Sequence, residues 1–372
     1  MNKRLDTQLP KNLYFKVRQT QFEETFEGAV TQSIGMNTFI PCNILLIDDK
    51  AEEGWQKCLE ILFKEKILDT SSKRQFKIQS IKTYEEALAI ESFLEYDLIF
   101  LDLRLKVEED KGEDKQIEEL SGVKLLEIIK KENNGIQVII LTGSNKAWNM
   151  KYLLDNGANG YYIKESPEYN FSPKASKENY DQLKRDIIGC LNKKYLKDLY
   201  SRVFLINQKI EKLPNKDEYS NEFLESIENH IKNSLNMHGN AKTKNEYAFA
   251  FVMLHFVVEE FGKEFMSEDK LILEKSNTPA RVYKWDETQR AYNNKENDNN
   301  QKLFNWQIIA SIYFQEWNQA DQNFMKNTYF LIKERNAFLH PESEKDYVAK
   351  KIYEPNGYKE LFDTVEKMIS FL

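Results

Sequence analysis

Cysteine is scarce in this chain. Its 372 residues include three, Cys42, Cys58 and Cys190, too few and too scattered for a disulfide framework. That usage fits a reducing cytosol, so a cytoplasmic location is expected. Long apolar runs are missing too. No stretch approaches the roughly 20 residues a membrane span requires, and no membrane partner is expected. The N-terminus carries Lys3, Arg4 and Asp6 and lacks the apolar segment of a secretion leader. Basic excess is absent: 53 Lys and Arg face 60 Asp and Glu, a net charge of -7, so any nucleic-acid contact must come from a local patch. There is no glycine-rich phosphate loop, and no helix-turn-helix or basic recognition helix, which disfavours DNA as a target. His230, His238 and His255 show no metal-ligand spacing with one another or with the cysteines. What is present, 41% hydrophobic and 30% charged residues, suits a globular protein long enough for two domains.

Four expectations follow for the organisation of the chain. Residues 1–40 form a polar extension with weak strand character at 13–17 and 22–30. Residues 41–193 alternate strand and helix, with strands at 43–48, 76–81, 97–102, 137–141 and 160–163. Helices are expected at 52–66, 84–94, 123–131, 147–154 and 177–191. Such alternation predicts a doubly wound five-stranded parallel sheet with helices on both faces. Residues 194–220 form a connecting helix and a turn. Leu196, Leu199, Val203, Ile206, Ile210 and Leu213 repeat at coiled-coil spacing for less than three heptads, which serves a dimer stalk or a simple packing helix. From 221 to 372 every apolar pattern is helical, predicting an all-α bundle with helices at 221–235, 245–265, 302–317, 322–339 and 358–371. The asparagine-rich stretch 292–300 reads as an exposed loop.

Chemistry concentrates at the ends of the strands. Asp48-Asp49, Asp102, Thr142 and Lys164 each follow an apolar run, namely Ile44–Ile47, Leu98–Leu101, Val138–Leu141 and Tyr161–Ile163. Residues just past the carboxyl ends of parallel strands converge on one crevice. Crowded carboxylates repel unless a cation sits among them, and Mg²⁺ takes hard oxygen ligands while keeping several waters. Lys164 offsets the charge further and Thr142 can donate its hydroxyl to a phosphoryl oxygen. Asp102 can then attack a phosphoryl donor.

The order and strand context of these residues resemble the receiver domain of bacterial response regulators over about 150 residues, through Leu-Leu-Ile-Asp48-Asp49, Ile-Phe-Leu-Asp102-Leu, Ile-Leu-Thr142-Gly143 and Gly160-Tyr161-Tyr162-Ile163-Lys164. The resemblance implies a flavodoxin-like fold, Asp102 as phospho-acceptor, and Mg²⁺ held by Asp48, Asp49, Asp102 and the backbone carbonyl of Arg104. It implies Tyr161 as the aromatic that changes rotamer when Thr142 engages phosphate, and a histidine kinase or phosphotransfer protein as partner. Two departures mark this chain. Lys164 is followed by Glu165-Ser166-Pro167 instead of an immediate proline, and the charged loop 106–119 after Asp102 is enlarged.

The second cluster is Arg335-Asn336-Ala337-Phe338-Leu339-His340-Pro341. Pro341 disfavours continuing the helix, so His340 is expected in its final turn, where partial negative charge favours imidazolium. Asn336 and His340 share a face, and Arg335 can reach it. A histidine that moves protons and an arginine that holds a phosphodiester oxygen are parts for cleaving RNA by its own 2′-hydroxyl, without metal. In a helical domain the motif resembles the HEPN (higher eukaryotes and prokaryotes nucleotide-binding) superfamily. That resemblance implies a metal-independent endoribonuclease working as a homodimer, with no cofactor in the helical domain. Glu259-Glu260 could line the cleft or form a solvated face. Tyr283, Trp285 and Tyr292 with Arg281, Lys284 and Arg290 could stack on bases or be ordinary core and surface. The expected function is therefore a two-component response regulator with an RNA-cleaving output. The alternative is a non-enzymatic adaptor whose helical domain dimerises or binds a protein or nucleotide.

Overall fold

The computed structural model describes residues 40–64, 74–106, 109, 116–143, 147–164, 171–214, 216–267, 272–295, 303–342 and 347–372. The strand character expected at 13–17 and 22–30, and most of the charged loop, lie outside these residues. The chain divides into two compact units, Met1–Tyr200 and Ser201–Leu372.

In the first unit, strands β1 (Ile40–Ile47), β2 (Arg74–Ile81), β3 (Leu98–Asp102), β4 (Val138–Thr142) and β5 (Gly160–Ile163) form a parallel sheet in the order β2-β1-β3-β4-β5. Both faces are covered, so β3 and β4 are buried along their whole length, while the edge strand β2 alternates apolar and polar residues. Alternation splits them between two cores. Leu45, Ile47, Leu101 and Ile140 meet Val123, Leu126 and Ile129 of helix α3 (Ser121–Glu132). Ile44, Leu46, Phe100 and Leu141 meet Leu59 and Leu62 of α1 (Trp55–Lys64) and Leu183 and Ile187 of α5 (Pro173–Asn192). Between these helices lie α2 (Tyr84–Leu88) and α4 (Ala147–Asp155).

The predicted sheet and its flanking helices are present, with shifted ends. Thr83 caps α2 through a reciprocal capping box with Glu86, but the helix stops at Leu88 instead of running to 94. Ser92 there turns its hydroxyl to Leu94 N–H and starts a 3₁₀ turn, Phe93–Glu95. α5 begins four residues earlier than expected, because Ser172 caps it and Pro173 fills its first position.

Helix α6 (Leu196–Glu211) spans the boundary between the units. Leu196, Leu199, Ile206 and Ile210 are buried. Its first turn is fastened within the first unit: Lys197 Nζ donates to the carbonyls of Leu94 and Tyr96, and Asn133 Nδ2 donates to Lys197 O at 3.0 Å.

The second unit is mainly helical: α7 (Asn221–Asn240), α8 (Lys244–Phe265), α9 (Asn305–Ser311) continued by a π-helical turn (Ile312–Glu316), α10 (Gln322–Leu339) and α11 (Pro355–Ile369). α7 and α8 start at Ser220 and Thr243, whose hydroxyls accept backbone N–H groups of the first turn. Two small antiparallel sheets are inserted that no apolar pattern announces. One joins β6 (Met266–Ser267), β7 (Ile272–Leu273) and β8 (Thr278–Pro279); the other is a hairpin of β9 (Val282–Asp286) and β10 (Ala291–Lys295). The hairpin corrects the loop expected from 292, since Tyr292 is a buried strand residue; residues 296–300 lie outside the described set. Of the two readings of the aromatic-basic patch, the ordinary one fits. Tyr283 and Tyr292 are buried, and Trp285 stacks on Tyr329 at 4.7 Å between centroids, so these rings pack on protein.

Candidate functional site

The strand order brings the predicted pocket residues together. β1, β3, β4 and β5 are consecutive neighbours, so their carboxyl ends lie side by side. Asp48 follows β1, Asp102 closes β3, Thr142 closes β4 and Lys164 follows β5. Asp48, Asp102 and Thr142 are buried. Lys164 Nζ lies 2.7 Å from Asp48 Oδ2 and 2.6 Å from Asp102 Oδ2. The remaining oxygens sit on backbone donors: Lys50 N–H reaches Asp48 Oδ1 at 2.9 Å, and Leu103 N–H reaches Asp102 Oδ1 at 2.7 Å. Lys164 N–H donates to Thr142 O at 2.6 Å and ties the two strand ends.

The electrostatics follow from this packing. Burial pushes the Asp102 carboxyl up, the Lys164 ammonium opposes it, and repulsion from Asp48 and then Asp49 adds to the rise, leaving the group at about 6. Burial works against the Lys164 ammonium, but Asp102 and Asp48 outweigh it and hold the group above the ordinary lysine value. The indole of Trp55 lies 5.7 Å from Lys164 Nζ and 5.8 Å from the ring of Tyr162.

Among the described residues, Asp48, Asp49 and Asp102 form a group able to hold a metal ion, each offering one oxygen with all three within 4.8 Å of one another. An all-oxygen anionic set fits a hard divalent cation. Arg104 is exposed two residues beyond Asp102, and Tyr161 is half-buried on β5.

Sequence reasoning missed what supports the strand that carries Asp102. Gly122, in the first turn of α3, donates its N–H to Leu103 O at 3.0 Å. A Cβ on Gly122 would lie 2.1 Å from Asp102 O, so only glycine admits this approach. Nothing in the local sequence announces a contact twenty positions away.

In the second unit the motif residues separate in environment. Asn336 N–H and side chain lie on α10, and His340 caps that helix, one position beyond the turn expected for it. His340 N–H donates to Asn336 O at 2.7 Å, and the histidine is exposed. Arg335 turns inward: one guanidinium nitrogen donates to Asn336 Oδ1 at 3.0 Å and another forms an ion pair with Glu259 of α8. Glu259 also faces the fully buried His255, whose Nδ1 lies 3.6 Å from the same carboxylate oxygen. Glu260 is engaged by Lys263 at 2.6 Å. The His255–Glu259–Arg335 chain was not foreseen; its only sequence signal is the i, i+4 spacing of His255 and Glu259. No helix of the described residues is long and apolar enough to cross a membrane.

Comparison with known proteins agrees with the geometry. Residues 44–172 match the family model of the response regulator receiver domain. Among solved structures, the non-phosphorylated HemR receiver domain from Leptospira biflexa is 24% identical, covering 38% of this chain and 94% of that one, with a TM-score of 0.27. A response regulator receiver domain protein from Clostridium thermocellum is 23% identical, covering 42% and 98%, with a TM-score of 0.28. A receiver domain protein from Methanospirillum hungatei is 21% identical, covering 39% and 99%, with a TM-score of 0.25. No curated protein matches the chain. Residues 44–172 thus form a response regulator receiver domain, which supports a part in two-component signalling.

Proposed function

We propose that the chain is a response regulator whose Asp102 accepts a phosphoryl group from a histidine kinase or phosphotransfer protein. The observation that carries this reading is the buried Asp102 carboxylate beside Asp48, both held by one lysine at 2.6 and 2.7 Å. An Asp102 oxygen attacks phosphorus, the donor's P–N bond breaks with the electron pair leaving on the histidine nitrogen, and an acyl phosphate forms on Asp102. Mg²⁺ bound by Asp48, Asp49, Asp102 and the Arg104 carbonyl would neutralise charge on the transferred group. Lys164, held charged, pairs with the phosphoryl oxygens, and the Thr142 hydroxyl donates to them. Tyr161 follows the movement of Thr142 and alters the face near Lys164. Incubation with acetyl phosphate and Mg²⁺ tests the reading: the chain should acquire one acid-stable, base-labile phosphate that Asp102→Ala abolishes. A phosphate retained by Asp102→Ala, or none on the unaltered chain, rejects it.

For the output we propose RNA cleavage by a homodimer at Arg335, Asn336 and His340. An exposed His340 one helical turn from Asn336 supports it. His340 takes the proton of the 2′-hydroxyl, whose oxygen attacks phosphorus; the P–O5′ bond breaks, the 5′-oxygen leaves with a returned proton, and a 2′,3′-cyclic phosphate remains, with Arg335 and Asn336 holding the phosphodiester oxygens. A second reading, a non-enzymatic adaptor, is favoured by the Glu259 ion pair that occupies Arg335. Incubation of RNA with the phosphorylated and unphosphorylated chain separates the two. Cleavage in neither state leaves the adaptor.

A further inference from the structure

The enlarged loop after Asp102 has so far no task. One of its residues, Glu109, is buried at 6% exposure although it lies in a strongly charged stretch. Its carboxylate accepts two hydrogen bonds from one residue: Ser121 N–H reaches Oε1 at 2.9 Å, and Ser121 Oγ–H reaches Oε2 at 2.6 Å. Ser121 Oγ in turn accepts Leu105 N–H at 3.0 Å. The result is a relay, Leu105 N–H to Ser121 O–H to Glu109 carboxylate, that fixes the proton direction of the serine hydroxyl.

Ser121 opens α3, whose preceding residue, Leu120, offers no side-chain cap. Glu109 supplies the missing cap from the loop, placing an anion at the positive end of the helix. The next residue, Gly122, is the one seated on the backbone of Asp102 and Leu103. Residues 103 to 105 are therefore pinned at both ends. Leu103 O is held by Gly122 N–H, and Leu105 N–H is held by the serine that Glu109 orients. Arg104, whose carbonyl is a ligand in the metal site proposed above, lies between these two pins.

We propose that Glu109 is a positioning residue for the divalent cation: through Ser121 it fixes the backbone of residues 103–105 and so pre-orders the Arg104 carbonyl. The inference rests on the reading of the pocket as a metal and phosphoryl site. Without Glu109, Ser121 Oγ can turn its proton elsewhere, Leu105 N–H loses an oriented acceptor, and the segment bearing Arg104 must be ordered as metal binds.

The test uses the full-length chain and Mg²⁺ alone, titrated by calorimetry or by tryptophan fluorescence. Glu109→Ala and Ser121→Ala should each weaken Mg²⁺ binding about tenfold, the scale seen when groups that orient metal ligands are removed. Phosphorylation from acetyl phosphate should return to the unaltered rate once Mg²⁺ is saturating. A purely structural role for Glu109 would lower the melting temperature in metal-free buffer and leave the Mg²⁺ affinity of the folded chain unchanged, which overturns the proposal. If Glu109→Ala does not fold, Ser121→Ala decides, because it removes the hydroxyl that joins Leu105 N–H to Glu109 Oε2 while keeping Ser121 N–H on Glu109 Oε1. Failure of the unaltered chain to bind Mg²⁺ rejects the reading of the pocket itself; normal binding there with unchanged affinity in the variants rejects the role of Glu109 alone.

Discussion

Lys164 Nζ stands between two carboxylates from neighbouring strands, 2.7 Å from Asp48 and 2.6 Å from Asp102. One ammonium therefore compensates two buried anions at the proposed acceptor site. Lys164→Met should leave two facing carboxylates with no cation. Removing one partner of a buried ion pair costs about 3–5 kcal/mol, and denaturant melts in chelator should show a loss of that order. Mg²⁺ should restore part of it, since the ion replaces the missing positive charge. A loss that Mg²⁺ leaves untouched would separate Lys164 from the metal site.

Gly122 gives a second, sharper prediction. A Cβ there meets backbone, Asp102 O at 2.1 Å and Leu103 Cα at 2.6 Å, which no side-chain rotamer can relieve. Gly122→Ala should destabilise the first unit by about 1–3 kcal/mol through overpacking. It should also slow phosphorylation by acetyl phosphate, because the strain falls on the acceptor's own peptide. Unchanged phosphorylation kinetics would mean that α3 can retreat from β3 without disturbing Asp102.

These two predictions differ in how visible their residues are in the sequence. The pocket is legible because buried parallel strands read as unbroken apolar runs, and the residue after each run is fixed to the same rim by topology alone. Gly122 and Glu109 are not legible. Their partners lie across an inserted charged loop, and a buried glutamate there looks like any solvated one. The β9–β10 hairpin is hidden for another reason. Its turn is made by Asp286, which accepts the Thr288 and Gln289 N–H groups, and by Arg290 at φ 51°, where glycine or asparagine would have been the signal. Glu259 and Arg335 are 76 positions apart, and only the packing of α8 against α10 makes them a pair.

The cysteines offer a test of both cores. Cys42, Cys58 and Cys190 are buried thiols outside any disulfide among the described residues, and burial pushes the Cys190 thiol up to about 12. Thiolate is the reactive form, so a thiol reagent at neutral pH should modify none of the three in the native chain and all three in denaturant. Fast native labelling of Cys190 would show that α5 opens from the sheet.

His255 predicts a pH dependence for the second unit. It is fully buried, and desolvation lowers its pKa below the ordinary 6.5, a shift that Glu259 opposes and Arg335 reinforces. The unfolded chain then binds the proton more readily than the folded one. Stability is full above 6.5 and falls as pH drops below it, by up to about 1.4 kcal/mol per pH unit. His255→Leu should flatten that slope in urea melts taken across the range. A slope unchanged by the substitution would assign the acid sensitivity to other groups.

The proposed ribonuclease motif needs a variant that separates chemistry from folding, and its residues are unequal for that purpose. Arg335→Ala strips Glu259 of its ion-pair partner, and a carboxylate left without that partner costs about 1–3 kcal/mol. Lost cleavage in that variant could reflect a disturbed α8–α10 contact as well as a missing phosphate ligand. His340 is exposed beyond the end of α10, and its backbone N–H, the group that closes the helix on Asn336, survives truncation of the imidazole. His340→Ala should therefore keep α10 closed and lose about 1 kcal/mol or less in urea melts, while RNA cleavage is abolished. Cleavage that persists in His340→Ala removes the histidine from the mechanism. If cleavage is lost, Glu259→Gln becomes informative, because it releases Arg335 from its anion while preserving side-chain volume. An increase in cleavage would then show that the ion pair restrains the arginine; a decrease would show that it holds the arginine in place for RNA.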